Sequence, residues 1–526
     1  MKSPMHGLSV SSLVLVALLA AQALAATAVP ATPAANGKAA GQPGIAWHQG
    51  DVAGAFAEAR RVNKPVFLYW GAVWCPPCNQ VKATIFNRQS FIQLTRQFIP
   101  VYLDGDTPDG QKTAEQYKVR GYPTMILFKP DGSEVTRLPG EVDYDRYLNI
   151  LQRGLLATRP IKQLLGAALE GRKLTRDEWA MLADYAWETD QTQLVAEGQV
   201  AATLYRLAAR IPSSEASAAT RLSLRAMAID SVAASPAAFD QARAREVLTQ
   251  VLSLEASRRA NFDVLVNYTE SLAKAMTAGE AKIPLRLGEL WSRGLRGLAA
   301  DTSLSMNDRL NARLAELQLA RRLESASPIR AELVKSAREM VEQADKATTD
   351  RYERQSVINT AAQVLAEAGL ATDADEMLRA ELKRSPAPYY FMLALAANAK
   401  RRGDAASAVT WYEKAFDSAE GPATRLQWGA SYLGGLVDLL PKDEARLEAV
   451  AVRIAGDIEK TPNAFYERNR RTVARIVQHL QRWNRDKEHA AAMQRIGQRY
   501  RAVCASLPKA DPQSVVCEEA VAGLRN

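Results

Sequence analysis

The spacing of apolar and polar residues divides the chain into two parts. Between residues 46 and 156, short apolar runs alternate with stretches in which apolar residues recur at helical intervals. This pattern predicts the order α-β-α-β-α-β-β-α, an α/β domain with a mixed sheet flanked by helices. The predicted strands are Val66–Gly71, Phe98–Leu103, Thr124–Phe128 and Glu134–Leu138, and the predicted helices begin at Asp51, after Cys78, at Gln111 and at Asp143.

The pattern changes after residue 156, and strand signals almost vanish over residues 157–526. Apolar residues keep a helical spacing, with turns at Gly or Pro, so we predict a large all-helical region of stacked helix pairs. Gly369 and Gly403 are 34 residues apart, as are Ala374 and Ala408. This interval predicts tetratricopeptide-like repeats around residues 356–418, with generic helical hairpins as the alternative.

Residues 1–25 have the features of a signal peptide. Lys2 provides the positive start, Leu13–Leu19 an apolar core, and Ala23-Leu24-Ala25 a cleavage site. A membrane anchor is the alternative, but the apolar run is too short to span about 30 Å of hydrocarbon. Residues 26–45 are mostly Ala, Thr, Pro and Gly, which predicts a flexible linker. We therefore expect an exported, periplasmic protein with no membrane span after signal removal, in a compartment where disulfides persist.

The charge of the chain argues against nucleic acid as a partner. The net charge is +9, from 67 basic and 58 acidic residues, and no basic stripe with interleaved aromatic residues occurs. The histidines are scattered, so no metal site is expected. They are His6, His48, His479 and His489.

The candidate chemistry lies at Cys75 and Cys78. An apolar strand leads through a short loop into a Cys-Pro-Pro-Cys pair that opens a helix. The spacing lets the sulfurs bond, and the unpaired N–H groups of a helix N-terminus favour the Cys75 thiolate. Pro76 and Pro77 form a stiff active-site loop, and Trp74 shields one side of the disulfide. We predict Cys75 as the nucleophile and Cys78 as the resolving cysteine, with no cofactor beyond their redox-active disulfide.

Three other interpretations of the pair are weaker. Half a zinc site would need two further ligands, and the remaining cysteines are not spaced as a second Cys-x-x-Cys. An inert structural disulfide would not explain the strand–loop–helix setting. A haem attachment site requires histidine after the second cysteine, where Asn79 stands.

The segment Trp74-Cys75-Pro76-Pro77-Cys78, followed by Gly121-Tyr122-Pro123-Thr124, resembles the thioredoxin superfamily. Lys64-Pro65-Val66 and Asp104-Gly105-Asp106 look most similar to the C-terminal periplasmic domain of the transmembrane disulfide reductases. The resemblance implies a thioredoxin-like fold and exchange with protein thiols and disulfides. It also implies that Pro123 is a cis-proline beside the active site, and that Trp74, Tyr122 and Pro123 contact the substrate.

One departure from the family pattern concerns proton transfer. Many thioredoxins carry a buried carboxylate six residues before the first cysteine, where this chain has Tyr69. Val73 likewise stands where an acid is common. The resemblance therefore implies exchange without the usual acid–base helper.

The second pair, Cys504 and Cys517, lies near the C-terminus. A close, even pair in an exported protein predicts a structural disulfide. A relay that exchanges with Cys75–Cys78 is the alternative.

Two functions follow from these features. The first is a thiol–disulfide oxidoreductase whose helical region binds or orients partner proteins and a redox partner. The second is a non-enzymatic scaffold or chaperone-like module that uses the same two parts for protein binding. The first requires Cys75 to be an exposed, easily ionised thiol at the start of a helix, and burial in an apolar core would remove its basis.

Overall fold

The N-terminal strands and helices form the mixed sheet that the sequence predicts. The computed structural model describes residues 44–140, 143–188, 193–196, 198–232, 239–278, 282–324, 328–461 and 464–524, except the side chain of Glu467. The predicted signal peptide and the predicted linker up to residue 43 lie outside the described residues.

Four strands build the sheet in the order β2-β1-β3-β4. The strands are β1 (Val66–Gly71), β2 (Ile99–Asp104), β3 (Thr124–Phe128) and β4 (Glu134–Leu138). Strand β1 runs parallel to β2 and antiparallel to β3, and β4 is antiparallel to β3. Every residue of β1 is buried, because alternate side chains enter the cores on the two faces of the sheet. This double burial explains the continuous apolar run, and the predicted fold class is confirmed.

Helices lie on both faces of the sheet. They are α1 (Val52–Val62), α2 (Pro76–Val81, continued by a π-helical turn over Lys82–Phe86), α3 (Gln89–Leu94), α4 (Pro108–Gln116) and α5 (Tyr144–Leu156). Helix α3 was not predicted. Helix α4 begins three residues before the predicted start, because Thr107 caps it and Pro108 occupies its first position.

The remainder of the described chain is helical, as predicted. Its first helices are α6 (Ile161–Leu169), α7 (Arg176–Asp184), α8 (Val200–Ala208), α9 (Ala216–Ser231), α10 (Gln241–Ser253), α11 (Glu255–Ala260), α12 (Phe262–Asn267), α13 (Thr269–Met276), α14 (Leu285–Ala300) and α15 (Met306–Leu323). The later ones are α16 (Ala331–Ala347), α17 (Glu353–Glu367), α18 (Ala371–Glu381), α19 (Pro388–Arg401), α20 (Ala405–Ser418), α21 (Pro422–Leu439), α22 (Glu444–Glu459), α23 (Glu467–Trp483), α24 (Ala490–Ser506) and α25 (Gln513–Val521). No helix within the described ranges is both long and apolar enough to cross a membrane.

The two glycines of the 34-residue interval end helices in equivalent ways. Gly369 lies between α17 and α18 with φ of +87°, and Gly403 lies between α19 and α20 with φ of +77°. This left-handed conformation strongly favours glycine, which explains its use at both helix ends. The segment is therefore two helical hairpins, and their membership of the tetratricopeptide class stays a prediction.

The core on one face of the sheet continues into the helical region. Phe67 and Tyr69 of β1 belong to the same buried cluster as Leu164, Trp179 and Leu204 of helices α6, α7 and α8. The predicted boundary between residues 156 and 157 therefore lies within a continuous core, and the described residues from 44 onwards belong to one compact unit.

A buried ion network also joins the two parts. Asp184 of α7 pairs with Arg146 of α5 and lies 2.8 Å from the Nε atom of Arg221. Arg221 also pairs with Asp263 at 2.7 Å. Although burial opposes their charge, the facing arginines hold the pKa values of Asp184 and Asp263 below their usual range. Removing one member would leave an uncompensated buried charge.

We expect Arg221→Met to lower the free energy of unfolding by about 3–5 kcal/mol. The methionine keeps much of the side-chain volume but leaves Asp184 and Asp263 without their shared partner. Urea denaturation at pH 7 measures the change, with Arg206→Met, an exposed arginine on α8, as the matched control. Equal stability of the two variants would contradict the importance of the network.

Candidate active site

Cys75 and Cys78 lie at the junction of β1 and α2. Cys75 caps the N-terminus of α2, and its Sγ atom accepts a hydrogen bond from the Cys78 N–H at 3.2 Å. Pro76 and Pro77 occupy the first helical positions, where no N–H donor is required. The two cysteines form a disulfide with Cα atoms 5.2 Å apart. The first sulfur thus lies where backbone N–H groups stabilise negative charge when the pair is reduced.

The expected exposure of Cys75 is wrong for this conformation. Cys75 is 2% exposed and Cys78 is fully buried. Their neighbours in the buried cluster include Tyr389 and Trp428, which belong to α19 and α21. The sulfurs are therefore covered by the chain's own helical region, which sequence spacing could not reveal.

Trp74 connects the active-site turn to the helical region through Asp106. Its indole Nε1 donates a hydrogen bond to Oδ2 of Asp106 at 2.6 Å. The Thr424 hydroxyl, at the start of α21, lies 2.9 Å from both carboxylate oxygens of Asp106. Asp106 is thereby shared between the two parts of the molecule.

Two further side chains of the helical region lie against the Trp74 ring. Trp428 contacts it edge-to-face, with ring centroids 5.3 Å apart. The Arg468 guanidinium lies 5.1 Å from the Trp74 ring centroid and 4.6 Å from that of Tyr122. These distances are those of aromatic and cation–π interactions.

Helix α2 makes polar contacts with the helical region on another side. The side-chain amides of Asn79 and Gln355 hydrogen-bond each other. Gln80 Nε2 donates to Oδ1 of Asp308 at 2.8 Å, and Asn307 Nδ2 donates to Oε1 of Gln80 at 2.6 Å. Amide groups thus fix α2 from this side.

The residues that the family resemblance assigns to the substrate lie beside the same contacts. The Tyr122–Pro123 peptide bond is cis. Tyr122 donates its hydroxyl to the Gly105 carbonyl at 3.1 Å and accepts from Gln111 at 2.9 Å. Trp74 and Tyr122 contact Arg468 of α23, so the expected substrate face is occupied by the helical region.

Burial dominates the electrostatics of the site. It raises the pKa of Asp106 to about 6, with a contribution from nearby Asp104, although the Thr424 and Trp74 hydrogen bonds and Arg468 oppose the rise. Burial likewise raises the pKa of Tyr69, whose hydroxyl has no hydrogen-bond partner among the described residues. Tyr69 is therefore unsuited to accept a proton from Cys78 near neutral pH.

Cys504 and Cys517 form a second disulfide, which joins α24 to α25. Their Cα atoms are 5.5 Å apart, and both residues are buried. Exchange with Cys75–Cys78 would require both pairs to become exposed.

Sequence reasoning missed the residues that cover the site. Asp106 was noted only as part of an acidic strand end, and Thr424, Trp428 and Arg468 carry no local motif. The Asp106–Thr424 contact spans 318 positions, so nothing in either neighbourhood predicts it.

The sheet, the cysteine pair at a helix N-terminus and the cis-proline define a class of protein. These features are those of thioredoxin-fold proteins that carry a redox disulfide. They indicate thiol–disulfide exchange in general.

Comparison with known proteins gives the same class. A family profile described as a thioredoxin-like domain matches residues 52–155. The chain is 33% identical over 102 residues to the thiol:disulfide interchange protein DsbD of Pseudomonas fluorescens, covering 19% of this chain and 18% of that protein. It is 35% identical over 78 residues to thioredoxin of Mycolicibacterium smegmatis, covering 15% of this chain and 67% of that protein. The chain belongs to the thioredoxin superfamily.

Similarity to the DsbD proteins and to solved structures is confined to part of the chain. The chain spans less than a fifth of the length of the first two DsbD relatives. A thioredoxin from Thermus thermophilus has 28% identity and a TM-score of 0.20, covering 21% of this chain and 86% of that structure.

We expect Asp106→Asn to change how stability depends on pH. A carboxyl group with a raised pKa binds its proton more tightly in the folded state than in the unfolded state. Asp106 therefore makes the folded state less stable as the pH rises from about 4 to about 6, with no further change above that range. Asparagine removes this contribution and still offers an oxygen to Trp74 and Thr424.

The measurement is urea denaturation of the wild type and Asp106→Asn at pH 4.5 and pH 7. The stability of the variant relative to the wild type should be greater at pH 7 than at pH 4.5 by about 1–2 kcal/mol. Asp109→Asn, at an exposed position on α4, is the control for removing one negative charge. The same relative stability at both pH values would contradict the raised pKa.

Proposed function

We propose that this protein is an exported, periplasmic thiol–disulfide oxidoreductase that exchanges disulfides with partner proteins through Cys75 and Cys78. The main support is the position of the Cys75 Sγ atom at the N-terminus of α2, where it accepts a hydrogen bond from the Cys78 N–H. A helix N-terminus lowers the pKa of a thiol, and the thiolate is the species that attacks a disulfide. No cofactor beyond the cysteine pair is needed.

The proposed exchange proceeds in two steps. The Cys75 thiolate attacks one sulfur of a partner disulfide, forms a mixed disulfide and releases the other partner sulfur as a thiolate. The Cys78 thiolate then attacks Cys75 Sγ, which forms the Cys75–Cys78 bond and releases the second partner sulfur. The partner gains two electrons, and the two protons that the Cys75 and Cys78 thiols lose on ionisation reach the partner thiolates through water and complete its dithiol. The reverse sequence uses the same atoms.

The helical region is proposed to bind or orient partner proteins. Stacked helix pairs form extended surfaces suited to protein ligands. The thiol:disulfide interchange relatives and the signal-like features of residues 1–25 support a location where disulfides persist.

A protein-binding scaffold is the second candidate function. The burial of both sulfurs under α19 and α21 favours it, because the first function requires an accessible Cys75 and in this conformation Cys75 is covered. Measurement of disulfide exchange separates the two candidates.

We expect Cys75→Ser to abolish the reduction of insulin disulfides, with dithiothreitol as the electron source. A serine hydroxyl is not ionised near pH 7 and cannot form a disulfide. The turbidity of precipitating insulin B chain gives the rate, which should fall to the uncatalysed background. Cys504→Ser/Cys517→Ser, which removes the other disulfide, is the matched control and should keep catalysis. Equal rates for wild type and Cys75→Ser would favour the scaffold.

We expect Cys78→Ser to accumulate mixed disulfides with exported partner proteins. Without the resolving thiol, the second step cannot occur and the partner stays bonded to Cys75. Alkylation of cells followed by non-reducing electrophoresis would show adducts that disappear on reduction. The Cys75→Ser/Cys78→Ser variant is the control. Adducts equally abundant in both variants would show that Cys75 does not form them.

A further inference from the structure

We propose that α19, α21 and α23 form a removable cover over the Cys75–Cys78 disulfide, which an exchange partner must displace. The cover is defined by Tyr389, Thr424, Trp428 and Arg468. This proposal rests on the proposed exchange at Cys75. It adds that the chain's own helical region controls access to the disulfide.

The first argument is steric. A nucleophile must approach a disulfide along the line of its S–S bond, but the cover and the thioredoxin part enclose both sulfurs. Cys75 is 2% exposed, so no protein thiol reaches it in this conformation. Exchange therefore requires the cover to move away.

The second argument is that the cover lies on the face where the family resemblance places substrate. Trp74 contacts Trp428 and Arg468, and Tyr122 contacts Arg468. A bound partner and the cover would compete for the same aromatic surface. The cover thus occupies the site as an intramolecular substitute for a partner.

The third argument concerns the nature of the contact. Beside the apolar contacts of the cysteine turn with Tyr389 and Trp428, the two parts are also joined by hydroxyl, amide and charged groups such as Thr424–Asp106 and Gln355–Asn79. Interfaces that separate are more polar than permanent ones, because their surfaces must also be stable in water. These polar groups are the part of the contact that water can replace when the two parts separate.

The fourth argument is that closure removes polar groups from water without fully replacing their hydrogen bonds. Arg468 has a buried Nη1 atom with no hydrogen-bond partner among the described residues. The Asp106 carboxylate also loses water on closure, although Thr424 and Trp74 replace part of that hydration. Opening would rehydrate both groups, which offsets part of the lost contact energy.

The fifth argument is mechanical. Elsewhere the thioredoxin part shares its core with α6 to α9, and the buried ion network extends that attachment to Asp263 of α12. The cover lies further along the chain, beyond many helix pairs. Small rotations between stacked pairs add up, so the cover can withdraw while the thioredoxin part stays attached.

The test measures how fast each disulfide is reduced by tris(2-carboxyethyl)phosphine, a small reductant that requires no protein partner. The phosphine donates the electron pair that breaks the S–S bond, and water then supplies the oxygen of the phosphine oxide and the protons of the two thiols. Alkylation at timed intervals and mass spectrometry of peptides give separate rates for Cys75–Cys78 and Cys504–Cys517. The second disulfide is buried inside the helical region, between α24 and α25, so its reduction reports unfolding of that region itself.

The test variant is Thr424→Val/Arg468→Met, which removes the hydroxyl and guanidinium contacts at similar volume. Reduction of Cys75–Cys78 should become about 10-fold faster than in the wild type, while Cys504–Cys517 keeps its rate. The matched control is Thr410→Val/Arg453→Met on α20 and α22, whose side chains contact Ala406, Asp417 and Phe416. It should leave both rates unchanged.

If both disulfides react faster in the double variant, unfolding accounts for the result, and Gln355→Met then decides. That variant removes the side-chain amide of Gln355, near the N-terminus of α17, and with it the contacts to Asn79 and Ser385. The proposed cover would be contradicted if a folded variant reduced Cys75–Cys78 at the wild-type rate. It would also be contradicted if the wild-type rate equalled the rate in 8 M urea (roughly the fully unfolded limit). If only the proposed function fails, the phosphine reduction rates would change as expected for the cover, but the protein would not catalyse insulin reduction.

Discussion

The arrangement of the molecule depends on the contact between Asp106 and the start of α21. One carboxylate accepts the Trp74 indole from the active-site turn and lies 2.9 Å from the Thr424 hydroxyl of the helical region. Because these two partners come from opposite sides of the interface, Asp106 fixes the position of Trp74 relative to Trp428 and Arg468. The burial of the disulfide follows from that position.

The same contact brings two opposing requirements together. A reactive thiolate needs backbone N–H groups and access to a partner, and the α2 N-terminus supplies the first of these. A stable chain needs the apolar Trp74 ring removed from water, and the helical region does this. In this conformation the Trp74 ring is removed from water but the disulfide is inaccessible, so the proposed exchange would require the residues around Cys75 to be arranged differently.

Sequence reasoning succeeded where local pattern determines structure. The run Val66–Gly71 is buried on both faces, so its apolar residues predicted the central strand directly. The Cys-Pro-Pro-Cys spacing predicted a helix N-terminus at Cys75, because prolines fit only its first positions. The helical remainder was equally readable from its periodicity.

Sequence reasoning failed where structure depends on long-range packing. Helix α3 is only one and a half turns long and carries no cap that binds through its side chain, so it left no readable signal. The exposure of Cys75 was expected as a condition of its reactivity at the start of a helix. The covering residue Thr424 lies 318 positions from its partner Asp106. Neither local periodicity nor a motif predicts a contact between residues so far apart in sequence.

The continuity of the core explains why the closed arrangement cannot be a chance apposition of two independent domains. Helices α6 to α9 complete one face of the sheet, since Trp179 and Leu204 share a core with Phe67 and Tyr69. That packing fixes where the helical region begins relative to the sheet. The stacked helices then bring α19 and α21 to the active-site turn, where Trp428 contacts both Trp74 and Tyr389. Because stacked helices transmit their geometry from pair to pair, a change in any intermediate stacking angle alters the position of the cover. Access to the disulfide is therefore a property of the whole helical region and not of the active-site turn alone.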